Sequence, residues 1–290
     1  MLDSHKYVIF TDSTSDLSQD IIDKYSINVI PIELSIDGKA FIKDYEISPK
    51  DFYNKIREGN MPKTTCINSS TYMENFEPIL KTGKDILYIA FSGSLSSIYS
   101  IASQTATALN KIYPNNKVIV VDSCAASMGQ GVLVYHAAKM KAEGKTLEEV
   151  VSWLEESKNH MNTWFTVNDL FHLKRGGRIS ATTAILGEML NVKPIMNINL
   201  SGELILISKI RGRRAAILEL LNKIENLWMA EKNPFICIAH ADALEDASFL
   251  ADKIKEKLGV KDVFINYITP VIGAHTGCGT VGVFFFGQKK

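Results

Sequence analysis

Three short apolar runs in the first half of the chain each stop at a cluster of small polar residues. Tyr7–Thr11 gives way to Asp12-Ser13-Thr14-Ser15-Asp16, Ile86–Phe91 to Ser92-Gly93-Ser94, and Val118–Val121 to Asp122-Ser123-Cys124. Runs this short and this uniformly apolar read as strands buried on both faces. Helical spacing follows each: Leu17, Ile21 and Ile22; Ile98, Ala102, Ala106 and Leu109; then helices over Met128–Glu143 and Leu147–Met161. Strands alternating with helices predict an α/β fold with right-handed crossovers and a parallel sheet. Ligands of such sheets bind beyond the C-terminal strand ends, so the three polar clusters mark one edge as the expected site.

The stretch F-S-G-S-L-S-S-I-Y-S-I-A at 91–102 is the sharpest of these handovers. Gly and Ser at the start of a helix present free N–H groups and hydroxyls, which favour an anion. The loop has no Lys, and the chain has neither G-x-x-x-x-G-K-[ST] nor G-x-G-x-x-G. A carboxylate suits it as well as a phosphate. A Ser-rich cap without ligand remains the bland alternative.

Between these strands, Asn28–Glu33 and Leu34–Ile42 alternate around Asp37-Gly38, a hairpin signal. Ser15 or Asp16 is expected to cap the first helix, Pro49 opens another, and Met61–Ser70 reads as a hydroxyl-rich loop. After about residue 161 the texture changes. Strands are expected near Trp164–Val167, Lys193–Ile198, Leu204–Lys209, Phe235–Ala239, Val263–Ile268 and Thr280–Phe286, with an apolar helix over Ala181–Leu190 and helices over Arg213–Trp228 and Leu244–Leu258. Hairpin-like turns such as Ser201-Gly202 predict a mixed or antiparallel sheet with helices on one side. The expected domains are 1–161 and 162–290.

The chain has 290 residues, is 22% charged and carries no net charge, which counts against a protein devoted to non-specific nucleic-acid binding. No apolar run is long enough to span a bilayer, and M-L-D-S-H-K lacks the shape of a signal peptide. Cys66, Cys124, Cys237 and Cys278 are far apart, with no C-x-x-C, as in reduced thiols of a cytoplasmic protein. No His, Cys, Asp and Glu spacing supports a metal.

Two further clusters carry chemistry. Lys174-Arg175-Gly176-Gly177-Arg178 and Arg211-Gly212-Arg213-Arg214 put guanidinium forks beside glycines, as a phosphate- or partner-binding turn would, or simply as solvated charge. Gly273-Ala274-His275-Thr276-Gly277-Cys278-Gly279 sets a His among glycines that allow close approach to a ligand. Ser92 or Ser94 with His275 would make an esterase or acyl-transfer enzyme, although G-x-S-x-G and an obvious orienting carboxylate are missing. A regulator binding nucleic acid through its arginines is a third reading.

The motifs together resemble the DegV family, the fatty-acid-binding subunits of bacterial fatty acid kinase. They are T-D-S-T-S-D-L at 11–17, P-K-T-T-C-I-N at 62–68, F-S-G-S-L-S-S-I-Y at 91–99, V-D-S-C-A-A-S-M-G-Q-G at 121–131, L-K-R-G-G-R-I-S at 173–180, V-K-P-I at 192–195, K-I-R-G-R-R at 209–214 and G-A-H-T-G-C-G at 273–279. The resemblance implies a Rossmann-like N-terminal domain and a C-terminal α/β domain, with one long-chain fatty acid as ligand between them and no cofactor. Its carboxylate would be held by Thr64, Thr65, Ser92, Gly93, Ser94, Ser96 and His275. The exposed Arg175, Arg178 and Arg211 would dock on a separate kinase subunit that phosphorylates the carboxylate from ATP, feeding phospholipid synthesis. Such a subunit catalyses nothing alone. Ala184–Leu190 and Phe284–Phe286 would line the acyl tunnel, or form ordinary core. Gly93 stands where the family has a second Ser, Ser97-Ile98 where it has Gly-Thr, and Cys278 where it has Pro.

Overall fold

The structure is a computed structural model, and it describes residues 7–41, 46–168, 170–179 and 191–290. The apolar runs of the first half form the expected parallel sheet. Strands β1 (Tyr7–Asp12), β2 (Asn28–Ile30), β6 (Asp85–Ala90) and β7 (Val118–Asp122) lie in the order β2-β1-β6-β7. Helices α3 (Ser69–Leu80) and α4 (Ile98–Ile112) cover one face, packing Tyr72, Phe76, Ala102 and Leu109 against Phe10, Ile86 and Tyr88. The other face meets α1 (Gln19–Tyr25), α5 (Met128–Ala142) and α6 (Leu147–Ser157) through Ile9, Leu87 and Ile89.

A second, six-stranded sheet comes from β8 (Met161–Thr166), β9 (Val192–Ile198), β10 (Leu204–Arg211), β11 (Phe235–His240), β12 (Asp262–Tyr267) and β13 (Val281–Phe286). Its order is β10-β9-β8-β13-β11-β12, antiparallel except for the β11–β12 pair. The mixed sheet is therefore as expected. Helices α8 (Arg213–Leu227) and α9 (Leu244–Leu258) bury Leu220, Ile224, Leu250 and Ile254 on one face. The opposite face is not bare: Cys237, Ala239, Phe284 and Phe286 share a core with Val132, Leu133 and Val134 of α5. Helix α5 thus lies between the two sheets, which is why it is apolar nearly all round.

A small third sheet, β4 (Lys39–Phe41), β3 (Leu34–Ile36) and β5 (Lys63–Thr64), is antiparallel. Its hairpin turns at Asp37-Gly38, both with positive φ as a primed turn requires. Several expectations need correction. The loop foreseen over 61–70 contains β5, because Lys63 and Thr64 pair with Ser35 and Leu34. The last residue of the helix foreseen to Met161 begins β8. Asp16 does not cap α1: it is left-handed (φ +50), and Ser18 holds the cap position. The helix expected over 181–190, and with it the tunnel wall at 184–190, lies outside the described residues.

The Gly-rich stretch from Gly273 begins inside helix α10 (Pro270–Thr276), which has Pro at its first turn. It lies against α2 (Pro49–Arg57), whose Phe52 and Tyr53 are wholly buried. A Cβ on Gly273 would stand 2.5 Å from Tyr53 Oη and 2.8 Å from Phe52 Cε1. Gly273→Ala is therefore expected to cost about 1–3 kcal/mol by overpacking, read as a Tm several degrees lower in a thermal melt. An unchanged Tm would show that α2 and α10 are not so closely fitted.

Candidate functional site

The C-terminal ends of β1, β6 and β7 converge as expected, and a buried carboxylate ties two of them. Asp12, at the end of β1, accepts hydrogen bonds from Tyr88 Oη at 2.8 Å and from Phe91 N at 3.2 Å beyond β6. Asp16, one turn on, reaches across to the second half of the chain. Its Oδ1 accepts from Thr269 N at 3.0 Å and Thr269 Oγ1 at 2.6 Å, and its Oδ2 from Ser127 Oγ. Burial pushes the Asp16 carboxyl up to about 6, against the pull of these donors. Thr269 is the residue on which α10 begins, so Asp16 fixes the start of the helix that carries His275.

His275 Nε2 lies 2.9 Å from Thr64 Oγ1, which the pairing of β5 with β3 brings inward. Arg178 Nη1 stands 3.4 Å from His275 Nδ1. A guanidinium only donates, whereas the Gly176 backbone favours a protonated ring, so the direction of the His275 Nε2–Thr64 Oγ1 bond follows the tautomer. With the proton on Nε2, the Thr64 hydroxyl keeps its own proton to offer to an acceptor. Burial first, and then the Arg178 charge, push the imidazole down to about 4, so His275 is neutral at pH 7. Arg178 is also anchored by Nε to Leu95 O at 3.2 Å and by Nη1 to Gly176 O at 2.6 Å. Helix α7 (Leu170–Arg175) leads into this turn, and a Cβ on Gly176 would fall 2.8 Å from His275 Nδ1. Arg175 repeats the arrangement on a second imidazole: its Nη2 is 3.2 Å from His172 Nδ1, while His172 Nε2 donates to Ala274 O at 2.9 Å.

Behind this cluster a cavity runs between the two sheets. Its walls are largely apolar, among them Phe91, Leu95, Phe165, Leu173, Ile198 and Phe284, and Thr64, Thr65, Ser96, Arg178 and His275 also line it. Of the residues the sequence marked for an anion, Thr64, Thr65, Ser96 and His275 are therefore brought together. Ser92, Gly93 and Ser94 are not on this wall. Ser92 Oγ donates to Gly202 O at 2.8 Å and Ser94 Oγ donates to Ser201 O, docking the loop onto the β9–β10 hairpin. Gly93 N donates to Asp122 Oδ2 at 3.1 Å, and a Cβ at Gly93 would lie 2.8 Å from that oxygen, so the Asp122 carboxylate fills the place of a side chain.

The arginines separate. Arg178, foreseen on an outer docking surface, is half-buried and faces the cavity, whereas Arg175 is exposed beside His172 and Arg211 is exposed at the end of edge strand β10. Phe284 lines the cavity, while Phe286 packs in the core around α5. Thr64 and His275 could suggest a nucleophile and base, yet the third group is a cation. It depresses the basicity that a carboxylate would raise. Ser92 and Ser94 are bonded elsewhere. Among the described residues, no cluster of His, Cys, Asp and Glu could hold a metal ion.

Residues 6–288 match the family model described as an uncharacterised protein of the DegV family. The chain belongs to the DegV family. A DegV domain-containing protein of Clostridium perfringens is 45% identical over 287 residues, spanning 98% of this chain and 99% of the relative. Among solved structures, a DegV family protein from Thermus thermophilus, described by its fatty acid binding, is 30% identical with a TM-score of 0.86 and covers 98% of this chain and 100% of its own. A DegV lipid-binding protein from Thermotoga maritima is 28% identical with a TM-score of 0.82, over 98% and 99%.

Titration of His275 gives a stability test. Its folded value is about 4 against the ordinary 6.5, so the unfolded chain binds the proton more readily. The stability it contributes is full above pH 6.5 and is lost as pH falls toward 4, on the order of 3 kcal/mol in all. Asp16, raised to about 6 from 3.8, acts oppositely: its cost is full above pH 6 and fades as pH falls toward 3.8. In urea melts across this range, the stability gap between wild type and His275→Gln should narrow on acidification. A gap independent of pH would mean that His275 is not held neutral.

Proposed function

We propose that this protein binds a long-chain fatty acid between its two sheets and presents the carboxylate to an ATP-dependent fatty acid kinase subunit. The observation that carries the reading is a cavity with mainly apolar walls whose lining includes the cluster Thr64–His275–Arg178. An acyl chain matches the walls and a carboxylate matches the donors. Thr64 Oγ1, Ser96 Oγ and the Arg178 guanidinium would bind its oxygens. His275 would act as a positioning residue, holding Thr64 with its proton turned toward the ligand. Relatives described as fatty-acid-binding share this fold over nearly their full length.

Affinity would come mainly from the chain, at about 0.8 kcal/mol per buried CH₂. The cavity volume is about 90 Å³. Ligand pockets commonly hold about 300–1,000 Å³. A long acyl chain would therefore enter by parting the side chains of the facing sheets. In this reading the bodies on either side are domains 1–161 and 162–290.

The protein would have no catalytic step of its own. The kinase would move the terminal phosphoryl group of ATP onto a carboxylate oxygen, giving an acyl phosphate and ADP. Arg175 and Arg211, both exposed, are the residues we assign to that partner's surface. No helix among the described residues is long and apolar enough to cross a membrane. Use in the cytoplasm to feed phospholipid synthesis is part of the same proposal.

Denaturing the purified protein, extracting it with organic solvent and running mass spectrometry should release a near-stoichiometric fatty acid. A blank that persists after incubation with mixed fatty acids would overturn the reading. Arg178→Gln should weaken fatty-acid binding about tenfold in a displacement titration, roughly 1.4 kcal/mol for one charge-assisted contact. Affinity equal to wild type would remove Arg178 from the site.

A further inference from the structure

A second cleft, separate from the cavity between the sheets, has a volume of about 520 Å³. It is lined by Ile56 and Arg57 at the end of α2, by Met61 beyond it, by His172 and Arg175 of α7, and by Cys278 just after α10. None of these residues lines the cavity between the sheets. Two guanidinium groups therefore share one cleft, and among the described residues neither Asp nor Glu lines it. A cleft walled by one sign of charge concentrates the opposite ion.

Arg57 has partners of its own. Its Nη2 meets Asp242 Oδ2 at 2.6 Å, and its Nη1 donates to Asn54 Oδ1 at 3.3 Å. The side chain is 46% exposed, so the ion pair is well solvated and contributes little, and a guanidinium has five N–H donors to share. The charge of Arg57 also dominates at the cleft wall. Burial pushes the Cys278 thiol up; of the two charges acting on it, the Arg57 cation draws it down more than the Asp242 carboxylate lifts it. Arg175 is exposed but tethered, its Nη2 3.2 Å from His172 Nδ1, while buried His172 donates from Nε2 to Ala274 O at 2.9 Å. A guanidinium already oriented in this way loses less freedom on meeting an anion. Ile56 and Met61 add an apolar surface beside the two cations. The volume falls in the range of small-molecule sites, about 300–1,000 Å³. A phosphate monoester offers nearly two negative charges and three acceptor oxygens, enough for two guanidinium forks, where a carboxylate offers one charge.

We propose that this cleft binds the phosphate group of a small ligand, shared between Arg57 and Arg175, with any organic body of that ligand against Ile56 and Met61. Arg175, assigned above to the partner's surface, would carry this anion in the partner's absence. The inference is independent of the fatty-acid reading, because it uses no residue of the cavity between the sheets.

Isothermal titration of the full chain with AMP, inorganic phosphate and adenosine tests this. Both phosphates should bind and adenosine should not. Arg57→Gln and Arg175→Gln should each weaken AMP binding about tenfold, with thermal melts confirming that both variants fold. On wild type, alkylation of Cys278 by iodoacetamide, read by peptide mass spectrometry, should be slowed by AMP and not by adenosine. AMP binding about tenfold more tightly than inorganic phosphate would support an ester whose body uses Ile56 and Met61; equal affinities would support free phosphate as the ligand. Absence of binding by both anions at millimolar concentration would overturn the inference. So would an AMP affinity unchanged in both variants, which would show the anion held elsewhere. Either result would leave the fatty-acid reading untouched.

Discussion

One buried carboxylate joins the parts on which the site depends. Asp16 follows β1, bonds Ser127 at the start of α5, and bonds Thr269 at the start of α10. Asn266 Nδ2 adds a bond to the Asp16 carbonyl at 3.1 Å. Through these contacts the end of the parallel sheet fixes both the helix between the sheets and the helix that carries His275. The cost is visible. Asp16 and Ser127 both have positive φ, conformations that non-glycine residues adopt only where the surroundings enforce them. Burial raises the carboxyl toward neutrality, so the hydrogen bonds that hold it are also what keep it compatible with the interior.

The polar end of the cavity follows from geometry that brings opposed glycine turns together. Gly176 lets the R-G-G-R turn close over His275, and Gly277, at φ +76, lies against His172, where a Cβ would be 3.0 Å from the ring. Each arginine of the turn then meets the Nδ1 of one histidine. A cation beside a buried imidazole is the wrong environment for a general base and a suitable one for an anion. The same residues that would suggest hydrolysis in a list therefore form, in space, a place to hold a carboxylate.

Much of this was legible in the chain. Uniform apolar runs ending in Asp and Ser correctly placed the three parallel strands and the edge at which they converge, because period and burial are local properties. The mixed second sheet was legible for the same reason. What was not legible depended on partners distant in sequence. Ser92 and Ser94 turn to the 201–202 hairpin, Arg178 turns inward to Leu95 and His275, and two-residue β5 exists only because Leu34 and Ser35 pair with it. Helix α10 was hidden by its glycines, although Thr269-Pro270 is a helix-start signal that would have found it. Those glycines serve packing: Gly273 admits Tyr53 and Phe52, and Gly277 admits His172.

The most direct measurement is a crystal structure of the protein saturated with a long-chain fatty acid. The account predicts the carboxylate oxygens within hydrogen-bond distance of Thr64 Oγ1 and beside the Arg178 guanidinium, with the acyl chain lying between the sheets. A carboxylate bound away from Thr64 and Arg178, or a chain lying outside the space between the sheets, would contradict it.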